Sequence, residues 1–190
     1  RSVYQKFGQG LGNRMAIVTL YRFDANNRLV EKTNHLGNAT HYTYASFNKQ
    51  PTRIDSPSAQ ALDGTPIAVV ERFEYDVLGR ESAHIDPNGA TTRTSYTVYD
   101  HPADIVYPDG TRETYRYIPT GRLLRQTDRQ GLTTVYTYDA LERVTSKTYS
   151  KDDSTLGTES FIYDAFHLKS KTDLEGNHTF YTYDQAGRLI

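Results

Sequence analysis

A chain of 190 residues with 36% hydrophobic content is too poor in aliphatics for one large core, so its packing has to draw on its 16 Tyr and 7 Phe. A net charge of −1 with acids and bases interspersed leaves no electrostatic footprint for nucleic acid or an anionic membrane surface. No apolar run approaches the ~20 residues of a bilayer span, and the absence of Cys removes disulfides and thiolate metal sites.

The mean hydropathy of −0.70 matches disordered chains, but the wealth of Tyr, Thr and Val argues for a folded, strand-forming protein. Opening at Arg1 and stopping directly after a motif, the sequence reads as a piece of something longer. Residues 1–16 are a degenerate repeat or lead-in, in which "YQKFGQ" (4–9) keeps an aromatic and a Gly. The glycines of "GQGLG" (8–12) lack the Lys, Ser/Thr and following helix of a phosphate loop and predict a flexible bend.

From residue 17 to 190 one motif recurs eight times. Its marker position falls at Asp24, Ala45, Asp76, Thr97, Ile118, Asp139, Asp164 and Asp184, in steps of 21, 31, 21, 21, 21, 25 and 20. Tyr99-Asp100 breaks this count and is set aside. An aromatic precedes every marker: Phe23, Tyr44, Tyr75, Tyr96, Tyr117, Tyr138, Tyr163 and Tyr183. Two residues further back stand Tyr21, Tyr42, Phe73, Thr94, Tyr115, Tyr136, Phe161 and Tyr181, with mainly polar residues between, which is the period of a strand with one apolar face.

Each marker opens a turn. Asp76-Val77-Leu78-Gly79 and Asp184-Gln185-Ala186-Gly187 fit a type I turn closed by a left-handed Gly, a three-residue hairpin loop with a bulge. This geometry pairs the marker with the residue four later, predicting cross-strand ion pairs Asp24/Arg28, Asp76/Arg80, Asp139/Arg143 and Asp184/Arg188 that set register. The remaining partners are Lys49, Arg122, His101 and Leu168. One step further, Phe23 should face Leu29, Tyr117 Leu123, Tyr138 Val144 and Tyr183 Leu189. At the fourth position Asn27, Asn48, Asp100 and His167 tolerate positive φ, and Glu142 is the misfit.

About ten residues on comes a second reversal, at Asn34–Gly37, Asp86–Gly89, Tyr107–Gly110, Asp128–Gly131 and Asp173–Gly176, so a repeat is a meander of two strands and two turns. The two irregular steps predict insertion loops near 56–65 and 151–154.

The spelling Y-x-Y-D-x-x-G-R-L, followed ten residues on by D-x-x-G, resembles the RHS or YD repeat of Rhs polymorphic toxins, the B and C components of Tc toxins, Gram-positive wall-associated proteins and animal teneurins. The resemblance covers roughly residues 17–190. It implies an all-β fold: a repetitive antiparallel β-hairpin ribbon of about 21-residue repeats, curving as part of a hollow β-shell that in the toxin members encloses a C-terminal toxic domain. About sixteen strands at ~4.8 Å spacing would close a ring only ~25 Å across, too small for a 100-residue domain more than ~30 Å wide. Cargo would therefore require further repeats. The toxin members cleave themselves at an Asp-Pro-containing motif, but Asp86-Pro87-Asn88-Gly89 sits where other repeats place an ordinary turn.

Other chemistry is sparse. His35, His41, His84, His101, His167 and His178 lack metal-ligand spacing, and His35, His101 and His167 are read as solvated turn residues. Asn38-Ala39-Thr40 and Asn177-His178-Thr179 are glycosylation sequons that matter only in a secreted eukaryotic protein. The acids are spread through turns rather than paired for glycoside hydrolysis. The expectation is therefore a structural segment of an encapsulating shell of a bacterial protein, secreted or at the cell surface, with no catalysis, cofactor or metal. Its partners are the remaining repeats and an enclosed toxin or effector domain outside this chain. The alternative is a carbohydrate-binding module of YD repeats that meets cell-surface glycans through its Tyr faces.

Overall fold

The computed structural model describes residues 4–5, 19–46 and 48–190. The "GQGLG" bend and most of 1–16 lie outside these residues. Contacts divide the chain into two compact units, Arg1–Arg93 and Thr94–Ile190. Among the described residues every regular element is a strand, and all strand pairs are antiparallel, each strand bonded to its neighbours in sequence.

The first unit holds β1 (Tyr4–Gln5), β2 (Leu20–Phe23), β3 (Leu29–Thr33), β4 (Ala39–Thr43), β5 (Arg53–Gln60), β6 (Pro66–Tyr75) and β7 (Glu81–Ile85). The division falls within β8 (Thr91–Tyr96). The second unit continues with β9 (Pro102–Val106), β10 (Arg112–Tyr117), β11 (Leu123–Thr127), β12 (Thr133–Tyr138), β13 (Val144–Lys151), β14 (Ser154–Tyr163), β15 (Leu168–Thr172) and β16 (His178–Phe180).

Twelve reversals share one hydrogen-bond pattern, in which the first residue's N–H donates to the carbonyl of the fifth and the fourth N–H donates back to the first carbonyl. All twelve place the fourth residue at positive φ: nine glycines, with Asn27 (60°), Asp100 (65°) and Glu142 (60°). Marker turns and return turns of this pattern are thus the same device. Their first residue explains the preference for Asp. Asp139 Oδ1 accepts the N–H of Leu141 and of Arg143, both at 2.9 Å, and Asp76, Asp128 and Asp184 do the same in their own turns.

Three reversals differ. Asp164 donates to His167, one residue short of the usual partner. Ala45 offers no carboxylate to hold a turn, and Pro51 has no N–H for the ladder. The Ala45/Lys49 pairing accordingly does not form, and the strands rejoin where Thr52 N–H reaches Thr43 O at 2.8 Å. Asp152 and Asp153, both at positive φ, make a two-residue turn between Lys151 and Ser154.

The insertions expected at 56–65 and 151–154 hold strand as well as turn. Residues 56–60 and 66–69 extend β5 and β6 around a turn at Ala61–Gly64, and the second insertion lengthens β13 and β14. Added residues continue the ladder because each new cross-strand bond satisfies a backbone group that a free loop would leave to water.

Burial is thin, as the composition foretold. Ala83 is the one deeply buried apolar residue among those described, and Thr133, Thr134 and Ser170 join it. Ala83 pairs with Glu74 on one side and Arg93 on the other. The Arg93–Glu74 ion pair at 3.3 Å spans it. Side chains of one sheet face thus shield one another across strands in place of a second layer.

Candidate functional site

What distinguishes this architecture is the seam between one repeat and the next. Within each marker hairpin the ladder runs up to the bulge, and the predicted pairs Phe23/Leu29, Tyr117/Leu123, Tyr138/Val144 and Tyr183/Leu189 face each other. Across the seam the ladder starts only two residues after the hairpin exit: at Glu31 rather than Leu29, Arg125 rather than Leu123, Ser146 rather than Val144, and Ser170 rather than Leu168. The exit carbonyl therefore lacks a backbone partner from the next repeat.

The marker tyrosine supplies one. The hydroxyls of Tyr44, Tyr138, Tyr163 and Tyr183 donate to the carbonyls of Leu29, Leu123, Val144 and Leu168, at 2.7, 2.6, 3.0 and 3.1 Å. Tyr75 likewise reaches Pro51 O at 2.8 Å. Phe23 and Tyr96 end β2 and β8 at the equivalent place. Partial burial raises the pKa of Tyr44, Tyr75, Tyr117 and Tyr138, which keeps these phenols as donors.

The turn cation covers the ring. The four predicted ion pairs all form: Arg28 Nε–Asp24 at 2.8 Å, Arg80 Nη2–Asp76 at 2.6 Å, and Arg143 and Arg188 Nη2 to Asp139 and Asp184 at 2.7 Å. In each, one carboxylate oxygen holds the turn amides and the other holds the guanidinium. Asp24, Asp139 and Asp184 are held below the usual carboxylate pKa chiefly by the backbone N–H of Arg28, Arg143 and Arg188; for Asp76 the Arg80 side chain comes first.

Arg28 and Arg143 reach into the following repeat. Arg28 lies 4.7 Å over the Tyr44 ring and donates to Ala45 O and Asn48 O, each at 3.0 Å. Arg143 lies 4.4 Å over Tyr163 and donates to Asp164 O at 3.0 Å. Arg122 sits 6.0 Å from Tyr138. The Arg28 and Arg143 side chains are 19% and 25% exposed, whereas that of Arg188 is 80% exposed, so the following repeat provides most of their cover.

Two histidines take the arginine's place, which corrects their reading as solvated turn residues. His101 stacks on Tyr117 with centroids 4.7 Å apart, and His167 on Tyr183 at 4.5 Å. Within a single repeat the arginines answer only for register in their own turns, and the seam is not visible there. The available signal was the interval from turn cation to next marker tyrosine: 16 residues for Arg28/Tyr44, His101/Tyr117, Arg122/Tyr138 and His167/Tyr183, and 20 for Arg143/Tyr163 across the insertion.

Chemistry away from the seams is structural in form. In the second unit, Arg129 stacks 4.0 Å over Tyr107 and pairs with Asp109 at 2.7 Å. Glu113 accepts from Tyr115 at 2.7 Å and pushes that phenol up to about 12. No cluster of three or more metal-ligating side chains occurs among the described residues. No helix there is long and apolar enough to cross a membrane.

The RHS Repeat family model matches residues 119–154, which run from the tip of one marker turn through the next complete hairpin. No curated protein sequence matches the chain. Among solved structures, the chain superposes on the Tc holotoxin pore of Photorhabdus luminescens, a form with a mutation in TccC3, with a TM-score of 0.70 at 15% identity, over 99% of this chain and 11% of that one. TcdB2-TccC3 matches with a TM-score of 0.70 at 14% identity over 99% and 12%, and TcdB2-TccC3-Cdc42 with 0.66 at 18% over 93% and 10%. The chain thus spans about a tenth of the length of the chains it matches, and shares their fold at low identity.

Proposed function

We propose that this chain is a wall segment of an encapsulating shell in a secreted bacterial RHS protein, and that the completed shell sequesters a toxin or effector domain lying outside this segment. The observation that carries the reading is the seam. Within each unit, hydroxyl–carbonyl bonds and stacked cations tie hairpins to their successors, so cohesion is carried from neighbour to neighbour, as suits a ribbon extended by repetition. The fold shared with Tc toxin chains supports the same reading. The role is mechanical, with no catalytic step assigned to these residues. Glycan binding through the marker rings is disfavoured, because Arg or His covers a face of Tyr44, Tyr117, Tyr163 and Tyr183.

The test is limited proteolysis of the full-length protein. An enclosed C-terminal domain should resist digestion, and Arg143→Ala combined with Tyr163→Ala should speed its cleavage several-fold by opening one seam. A C-terminal domain digested as fast in the intact protein as when expressed alone would overturn the reading.

A further inference from the structure

The seams of the second unit are tied unequally. Those between β11 and β12 and between β9 and β10 each rest on three ladder positions, residues 125–127 against 133–135 and 104–106 against 112–114. A difference in their strength therefore lies in the side chains. At β11/β12 the Tyr138 hydroxyl holds Leu123 O at 2.6 Å, and Arg122 pairs with Glu142 of the next marker turn at 2.9 Å. At β9/β10 both ties are missing. The Tyr117 hydroxyl, at the position of Tyr138, makes no hydrogen bond among the described residues. His101, at the position of Arg122, stacks on the Tyr117 ring, and its Nδ1 is buried with no hydrogen-bond partner among those residues. The exchange of Arg for His does not by itself remove the hydroxyl bond, since the His167 seam keeps one from Tyr183 to Leu168 O at 3.1 Å. Packing is missing at the same place. A cavity of about 550 Å³ opens between the two marker turns, walled by Val98, Tyr99, Tyr117 and Pro119 with Ala103 at its side. Side chains around such a gap forgo the dispersion contacts that a closed seam gives. The tie that remains is Arg116, whose Nη1 donates to Tyr115 O at 2.7 Å and, across the strands, to Ala103 O at 3.1 Å. That side chain is 56% exposed, so water competes for its donors.

We propose that the β9/β10 seam is a built-in opening point of the second unit, the interior seam at which the ladder parts first. The marker turns on either side, 97–101 and 118–122, keep both of their closing backbone bonds, so the two hairpins separate without unravelling. One hydroxyl–carbonyl bond changes the population of an opened seam about five- to tenfold. With a second tie and part of the packing also missing, β9/β10 opens at least tenfold more often than β11/β12. A ribbon with one slack seam yields at a defined place, where a uniform one would fray from its ends. The proposal follows from the contacts of a single seam and does not depend on what the ribbon encloses.

Native-state hydrogen exchange of the 190-residue chain tests it. Protection factors of the ladder amides in residues 104–106 and 112–114 should lie at least tenfold below those in 125–127 and 133–135. His101→Arg supplies the cation that Arg28 and Arg143 provide at their own seams, in a turn position that accepts Arg in other repeats. It should raise β9/β10 protection at least threefold and change β11/β12 by less than twofold. Conversely, Arg122→Ala with Tyr138→Phe should bring β11/β12 down to the level of β9/β10. Equal protection of the two seams in the parent chain, or a His101→Arg variant that leaves their difference unchanged, overturns the proposal.

Discussion

Tyr138→Phe removes one atom from a seam and leaves the ring in place. The lost hydroxyl donates to Leu123 O at 2.6 Å, a carbonyl without a ladder partner from the next repeat. A typical internal hydrogen bond contributes about 0.5–1.5 kcal/mol net, and leaving the acceptor half-buried and unpaired moves the cost to the upper end, ~1–1.4 kcal/mol. That is about a five- to tenfold increase in the population of the locally opened seam. The control is two residues away. Tyr136 lies on the same face and partial burial also raises its pKa, but its hydroxyl has no hydrogen-bond partner among the described residues, so Tyr136→Phe should be neutral or slightly stabilising. Native-state hydrogen exchange reads the difference on the β11–β12 ladder amides of Arg125–Thr127 and Thr133–Val135. The expected result is faster exchange by about five- to tenfold in Tyr138→Phe and less than twofold in Tyr136→Phe. Equal effects of the two substitutions would refute the reasoning, because the hydroxyl–carbonyl bond would then contribute nothing beyond ring packing.

Two further outcomes follow from the turns. The depressed carboxylates of Asp24, Asp76, Asp139 and Asp184 contribute stability that is complete above their ordinary value of 3.8 and is lost as pH falls through the lower folded-state value. The thermal midpoint should hold down to about pH 5 and fall below it, less steeply in Asp139→Asn; a flat profile to about pH 2 would contradict this. Gly121 and Gly110 both sit at positive φ, +89° and +81°, but a Cβ at Gly121 would lie 3.0 Å from His101 Cε1 while one at Gly110 meets nothing within 4 Å. Gly110→Ala should therefore cost only the left-handed strain of ~1–2 kcal/mol, and Gly121→Ala roughly 1 kcal/mol more in urea titrations as His101 is pushed off Tyr117.

Most of the hairpin lattice could be read in advance because its determinants are local. An aromatic at every second residue fixes the strand face, and an Asp four residues before an Arg fixes the turn and its ion pair. The seam was harder to see because its partners are 16 or 20 residues apart and come from different hairpins. The ion pair alone accounts for Arg28 and Arg143, and nothing within a single repeat demands a second role for them. His101 and His167 were misread for a related reason: a histidine in a polar turn looks solvated until the next hairpin brings Tyr117 or Tyr183 beneath it. The insertions are less legible because extra residues can pair as well as loop: at 56–65 and 151–154 part of each insertion lengthens a ladder and the rest forms its turn.

The shared carboxylate has a consequence for how such a chain assembles. Because Asp139 fixes both the turn amides and the Arg143 guanidinium from within its own hairpin, the receiving half of the seam is finished before Tyr163 arrives. The reverse does not hold, since Tyr163 reaches back to a carbonyl and a cation that an earlier segment must already present. A ribbon built this way can add its hairpins in the order in which a ribosome releases the chain, each one docking on a half-seam already complete.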